Sequence, residues 1–147
     1  MTISKILVAH DFSDGASRAL RFAAGVARQT GATVEVAYVL PDIYDGRGEP
    51  SLALPDALPG QGERYLHFLE EELTRVAERV AGDLVPPIAA HVLRGDPVKR
   101  LESFAQELGA DAVCLGITGK GAVQRVLLGS ISQLVLRSAT IPVLLVP

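Results

Sequence analysis

The chain has 147 residues, of which 48% are hydrophobic and 21% charged, and a formal net charge of −3. This composition describes an ordered globular chain rather than a disordered one. The length suits a single domain spanning residues 1–147, burying about two-thirds of its unfolded surface. The mild acidity excludes a general nucleic-acid binder, which needs a basic face to neutralise phosphates.

The first apolar run, Ile6 to Ala9, is too short for a secretory signal. Nothing approaches the ~20 apolar residues that span a bilayer, so the expectation is a cytoplasmic protein without a membrane partner. Cys114 is the only cysteine, which rules out an intrachain disulfide.

In chain order, "KILVAHD" has a gapless apolar centre, the pattern of a parallel strand buried on both faces. Ser13 or Asp14 is placed to cap a helix. Ala16, Ala19, Leu20, Ala23, Val26 and Ala27 form one apolar stripe of that helix, and Gly31 is its stop. "ATVEVAYVL" is a second strand. A Pro/Gly/Asp-rich loop follows from Pro41 to about Gly62, long enough that either a mobile segment or a lid is expected. Leu66, Leu69, Leu73, Val76 and Val80 mark a second helix, whose Glu70-Glu71-Glu72 run reads as a solvated face. "PIAAHVLRG" is a third strand. Asp96 as cap, Pro97 at the first helical position and Gly109 as stop delimit a third helix. "DAVCLG" is strand four, Ser130 to about Ser138 a short helix, and "PVLLV" strand five.

Strands alternating with helices predict right-handed crossovers and a doubly wound five-stranded parallel sheet, Rossmann-like, with helices on both faces. Such sheets bind ligands beyond the carboxyl ends of their strands. Asp11, Val39, Gly95 and Gly116 lie at or near those ends.

The segment "GITGKGAVQRVLLGSIS" leaves strand four there. Gly116, Gly119 and Gly121 let backbone N–H groups approach a ligand. Gly129 and Ser130 open a helix whose unpaired N–H groups favour phosphate, and Lys120 adds charge. A polyphosphate cradle fits this pattern. A turn with a close helix–sheet contact fits the same glycines. Two familiar nucleotide motifs fail: Gly119-Lys120 is followed by Gly121 rather than Ser or Thr, and "HDFSDG" after strand one is not a dinucleotide fingerprint.

The remaining candidates read as ordinary structure. Asp11 is placed to order the first turn, Cys114 lies in apolar core, His67 is on a helix surface and His91 is a plain strand residue. Ser130 lies in no nucleophile elbow, and His10, His67 and His91 lack metal-ligand spacing.

The spacing Gly116-x2-Gly119-x9-Gly129-Ser130 resembles the G-x2-G-x9-G-[ST] signature of the universal stress protein family. "ILVAHDFSDGASRAL", "GDPVKRLESFAQELGADAVCLG" and "LLGSISQLVLRSATIPVLLV" also resemble that family's first strand and helix, third helix and fourth strand, and last helix and strand. The resemblance implies an ATP site. Asp11 would lie near the ribose, the Val39 backbone at the adenine edge and Ala9 in the pocket wall. Gly116, Gly119, Lys120 and Gly121 would wrap the phosphates, and Gly129, Ser130 and Ile131 would hold them at the helix N-terminus. Independently of the resemblance, Mg²⁺ is expected to accompany a triphosphate, since it keeps its waters and touches phosphate oxygens. It also implies a homodimer joined through the last strand, residues 142–146, and a regulatory protein that responds to nucleotide. A slow ATP-hydrolysing enzyme is the alternative. A signalling receiver domain, which shares the alternating pattern, needs clustered acids after strand one and a lysine near strand five, and this chain has neither.

Overall fold

The computed structural model describes residues 2–41, 61–118 and 129–147. Nine elements run in order: β1 (Lys5–Ala9), α1 (Asp14–Thr30), β2 (Thr33–Leu40), α2 (Gln61–Ala81), β3 (Ala89–Arg94), α3 (Pro97–Leu108), β4 (Ala112–Gly116), α4 (Ser130–Ser138) and β5 (Val143–Val146). The loop expected from Pro41 to about Gly62 falls mostly outside the described residues.

All pairings are parallel, in the order β3-β2-β1-β4-β5. The chain winds outward from β1 to β3 and then crosses back to β4 and β5. Right-handed crossovers therefore put α1 and α2 on one face and α3 and α4 on the other. The predicted doubly wound sheet is the observed one.

The gapless run in β1 follows from this layering. Ile6 and Val8 enter the layer under α1 and α2 with Leu20, Val36, Leu73 and Cys114. Leu7 enters the opposite layer with Leu101, Phe104, Leu115 and Val135. Side chains alternate across a strand, so a strand covered on both faces needs apolar residues at every position.

Helix punctuation follows local chemistry. Of the two expected caps for α1, Ser13 serves: its Oγ accepts the Ala16 N–H at 3.2 Å. Asp96 caps α3 by accepting the Lys99 N–H at 2.9 Å, with Pro97 behind it. Gly31 (φ 75°) and Gly109 (φ 63°) end α1 and α3 in the left-handed region that glycine enters without a steric cost. The Glu70–Glu72 run is solvated as expected, with Glu71 3.2 Å from His67 and Glu72 paired with Arg75, exposed contacts that contribute little. No helix among the described residues is long and apolar enough to cross a membrane.

Two polar clusters escape the pattern reading. His91 is more than a plain strand residue: its Nε2 lies 2.6 Å from Glu35 Oε2 and its ring meets Phe104 edge-on at 4.9 Å. Lys5 Nζ is 3.8 Å from the other Glu35 oxygen. The partners lie 56 and 30 positions apart along the chain, so only the register of adjacent strands joins them.

At the amino edge of the sheet, Asp111 Oδ2 accepts from the Ser4 N–H (2.7 Å), the Ser4 hydroxyl (2.7 Å) and the Lys5 N–H (2.9 Å). These donors, the Ser4 hydroxyl first, hold the Asp111 carboxyl below the usual carboxylate range. A depressed folded-state value contributes stability above the unfolded value of about 3.9, and that stability is lost as the pH falls through the lower folded value. Asp111→Asn should therefore melt below wild type at neutral pH, and the gap should close under strong acid. Thermal melts across that range check the sign.

Candidate functional site

β1 and β4 are neighbours, yet their chains leave toward opposite faces, β1 into α1 and β4 toward α4. This reversal opens a crevice at the carboxyl edge of the sheet, where such sheets accept ligands. Of the residues expected at a nucleotide site, Ala9 and Gly116 end β1 and β4, Val39 is the penultimate residue of β2, Asp11 follows β1, and Gly129 and Ile131 flank the first residue of α4.

Val39 owes its position to strand alternation. The Ala37 carbonyl accepts the His10 N–H at 2.8 Å, so Ala37 faces β1, while the Leu40 carbonyl accepts the Gly95 N–H at 3.1 Å and faces β3. Alternate residues share an edge of the strand, so the Val39 N–H and C=O face the β1 side. β1 has already ended: its last paired residue, Ala9, is in register with Ala37. The Val39 peptide groups therefore point into the crevice.

Asp11 opens the turn from β1 to α1. Its Oδ1 accepts the Ser13 N–H at 3.0 Å, so the turn-ordering role expected from sequence is present. Phe12, next in the turn, has φ 64°, rare for a bulky residue. Its N–H donates to His10 Nδ1 at 2.9 Å, and its ring packs edge-on against Tyr38 at 5.1 Å. The Tyr38 phenol is held above its ordinary range, first by burial and then by Tyr65 and Asp11.

Gly116 serves a close backbone contact. A Cβ there would lie 2.5 Å from the carbonyl carbon and oxygen of Gly15 and 3.0 Å from the Ala16 nitrogen. A Cβ on Gly15 would lie 2.0 Å from the Thr118 carbonyl oxygen. The first turn of α1 and the exit of β4 interlock through these two glycines, of which the glycine-rich pattern marks only Gly116. The helix–sheet contact is thus real at Gly116. It also fixes where the glycine-rich segment departs.

The return of that segment is equally tied. The Gly129 N–H donates to the Ile117 carbonyl at 2.9 Å, and the Ile117 N–H to the Val146 carbonyl at 2.8 Å. Ser132 is buried, and its hydroxyl donates to the Gly116 carbonyl at 3.0 Å. Its partner lies 16 positions earlier and is reached only after the chain returns. Gly129, at φ −55° and ψ 149°, caps α4 without a side-chain hydrogen bond. The first N–H groups of α4 have no partner within the helix. Ser130 begins α4 and Ile131 is exposed on it. Gly119, Lys120 and Gly121 lie outside the described residues.

Arg18 of α1 binds both ends of this region: its Nη2 is 3.3 Å from Thr118 Oγ1 and its Nε 3.1 Å from the Pro147 carbonyl. Cys114, below the crevice, is buried, and burial pushes its thiol up to about 12, which keeps it protonated and unreactive. Among the described residues, no group of three or more His, Cys, Asp or Glu side chains could hold a metal ion.

The sequence profile of the universal stress protein family matches residues 2–147. A universal stress protein of Thermus aquaticus is 38% identical over 141 residues, covering 96% of this chain and 96% of that protein. One from Methanocaldococcus jannaschii is 31% identical over 145 residues, covering 97% of this chain and 81% of that protein. Among solved structures, universal stress protein UspA from Lactobacillus plantarum superposes with a TM-score of 0.73 at 25% identity, covering 100% of this chain and 99% of that one. The universal stress protein from Archaeoglobus fulgidus in complex with dAMP gives a TM-score of 0.58 at 27% identity, with 100% of both chains covered. A match over nearly the whole chain, on the doubly wound sheet described above, makes this chain a member of the universal stress protein family.

Proposed function

We propose that this protein binds ATP in the β1–β4 crevice and acts as a cytoplasmic regulator, with occupancy altering its conformation or a partner-binding surface. The Val39 peptide groups carry the reading: one donor and one acceptor, aimed past the end of β1, suit the hydrogen-bonding edge of adenine. Ala9 lines the pocket and Asp11 meets the ribose hydroxyls. Gly116, Gly119, Lys120 and Gly121 wrap the phosphates. Gly129, Ser130 and Ile131 present the start of α4. Because the Gly129 N–H is engaged with Ile117, the donors left for phosphate are the next N–H groups of the helix. The dAMP complex of the Archaeoglobus relative supports an adenine nucleotide as the ligand class. Mg²⁺ would neutralise phosphate charge while keeping its waters, which needs no dedicated protein cage.

Hydrolysis finds less support. A general base needs an available lone pair, and the His10 Nδ1 lone pair is taken by the Phe12 N–H. The reading is tested by direct binding of ATP, ADP and AMP to nucleotide-stripped protein. Saturable binding supports it, and no binding rejects it.

The same proposal includes a homodimer through residues 142–146. The carbonyls of Pro142, just before β5, and of Val146 in β5 accept from the N–H groups of Val113 in β4 and Ile117 just after it. Alternation therefore turns Leu144 toward β4 and leaves the Val143 and Leu145 peptide groups on the outer edge. An apolar strand with an open edge invites pairing. Leu145→Pro removes an outward N–H and spares the β4 ladder. Sedimentation should show a folded monomer; a folded dimer would place the interface elsewhere.

A further inference from the structure

His10 is only 3% exposed, and the established family membership gives it no role. A ring nitrogen that accepts a hydrogen bond carries no proton. Because Nδ1 accepts the Phe12 N–H at 2.9 Å, the neutral ring bears its proton on Nε2, directed at Ser17 Oγ 3.1 Å away. The ring also meets the Phe12 ring edge-on at 5.7 Å. Phe12 is thereby held at φ 64°, a conformation that costs on the order of 1–3 kcal/mol and persists only when its surroundings over-determine it. The same turn carries Asp11.

From this geometry we infer that His10 is a positioning residue for Asp11, and that protonating its Nδ1 unlatches the β1–α1 turn and weakens nucleotide binding. This rests on the nucleotide reading above. A protonated ring turns Nδ1 from acceptor into donor and sets it against the Phe12 N–H. Phe12 loses one of the contacts that hold it at φ 64°, and the turn that carries Asp11 is loosened. Asp11 and Asp14 lie within four residues of this ring, Arg18 follows its partner Ser17 on α1, and Tyr38 of β2 meets the Phe12 ring that His10 touches; Arg21 and Arg28 of α1 and Glu35 of β2 lie further along those elements, and Cys114 is in β4. The Arg18 guanidinium is directed at Thr118 and Pro147, and the Cys114 thiol stays protonated.

The test compares ATP affinity of wild type, His10→Asn and His10→Leu at about pH 8 and about pH 5.5, the interval in which imidazole takes up its proton. Asparagine offers an acceptor near the place of Nδ1 and has no proton to gain. Protonation of the nucleotide itself affects all three proteins alike. Wild type should lose about tenfold more affinity on acidification than His10→Asn. His10→Leu should bind weakly at both pH values, and His10→Asn should recover most of that loss. Nitrogen-15 spectra of the wild-type imidazole should show the Nε2–H tautomer at pH 8, a readout independent of nucleotide. An Nδ1–H tautomer, or one shared pH profile for wild type and His10→Asn, overturns the inference while leaving nucleotide binding intact. Failure of wild type to bind at pH 8 removes the nucleotide reading and this inference together.

Discussion

Gly116→Ala should lower stability by about 3 kcal/mol, the upper range for forcing extra atoms into a packed site. For a domain of this size that amounts to about 10 °C in melting temperature. The added methyl would sit 2.5 Å from the Gly15 carbonyl group, which is main chain and cannot swing aside. Gly15→Ala should be at least as damaging, since its methyl would meet the Thr118 carbonyl oxygen at 2.0 Å. Relief requires α1 to lift away from the exit of β4, exposing Ala16 and Ala19, which are buried against the sheet. Gly25→Ala is the control: it lies inside α1 with nothing within 4 Å of the new methyl, and alanine favours helix by about 1 kcal/mol. It should hold or raise the melting temperature. Circular-dichroism melts of the three variants check the ranking. A Gly116→Ala protein that melts with wild type would show that the two backbones have room to separate.

Asp11→Ala should cost about 2 kcal/mol of ATP binding, roughly thirtyfold in Kd, because a ribose hydroxyl donating to a carboxylate is among the stronger hydrogen bonds. Stability without nucleotide should fall by less, about 1 kcal/mol, for the lost acceptor of the Ser13 N–H. The two effects separate by a double-mutant cycle in which the ligand supplies the second change. Wild type should prefer ATP over its 2′,3′-dideoxy analogue, and Asp11→Ala should bind both alike. If the preference survives in Asp11→Ala, the carboxylate serves only the turn.

Much of the fold was legible because its signals are local. The Ile6–Val8 run needs apolar residues on two faces, and the caps at Ser13 and Asp96 and the stops at Gly31 and Gly109 are satisfied within a few residues. The reversal between β1 and β4 was legible from the alternating element order and the handedness of crossovers rather than from any local signal. What stayed hidden depends on chain segments that meet only in the folded state. Gly15 looks like an ordinary helical glycine until β4 lies against it. Ser132 meets the Gly116 carbonyl only once the chain returns. His91 finds Glu35 only through the β2–β3 register. The orientations of Val39 and Leu145 require knowing which neighbour each peptide group faces, which alternation settles once a single flanking hydrogen bond is known. Phe12 carries no sequence signal for a left-handed backbone, because its neighbours, not its own preference, impose it.

The measurement that bears most directly on this account is calorimetric titration of nucleotide-stripped protein with ATP, ADP and AMP, with and without Mg²⁺. The account predicts saturable binding of ATP at one site per chain with micromolar or tighter affinity, equivalent to about −8 kcal/mol or more. It also predicts weaker binding as phosphates are removed, because the start of α4 then loses its ligand. Absence of heat with all three nucleotides, from protein whose acid extract contains no adenine, would contradict it. The glycines from Gly116 to Gly129 would then serve only the interlock between α1 and β4 and the return of the chain to α4.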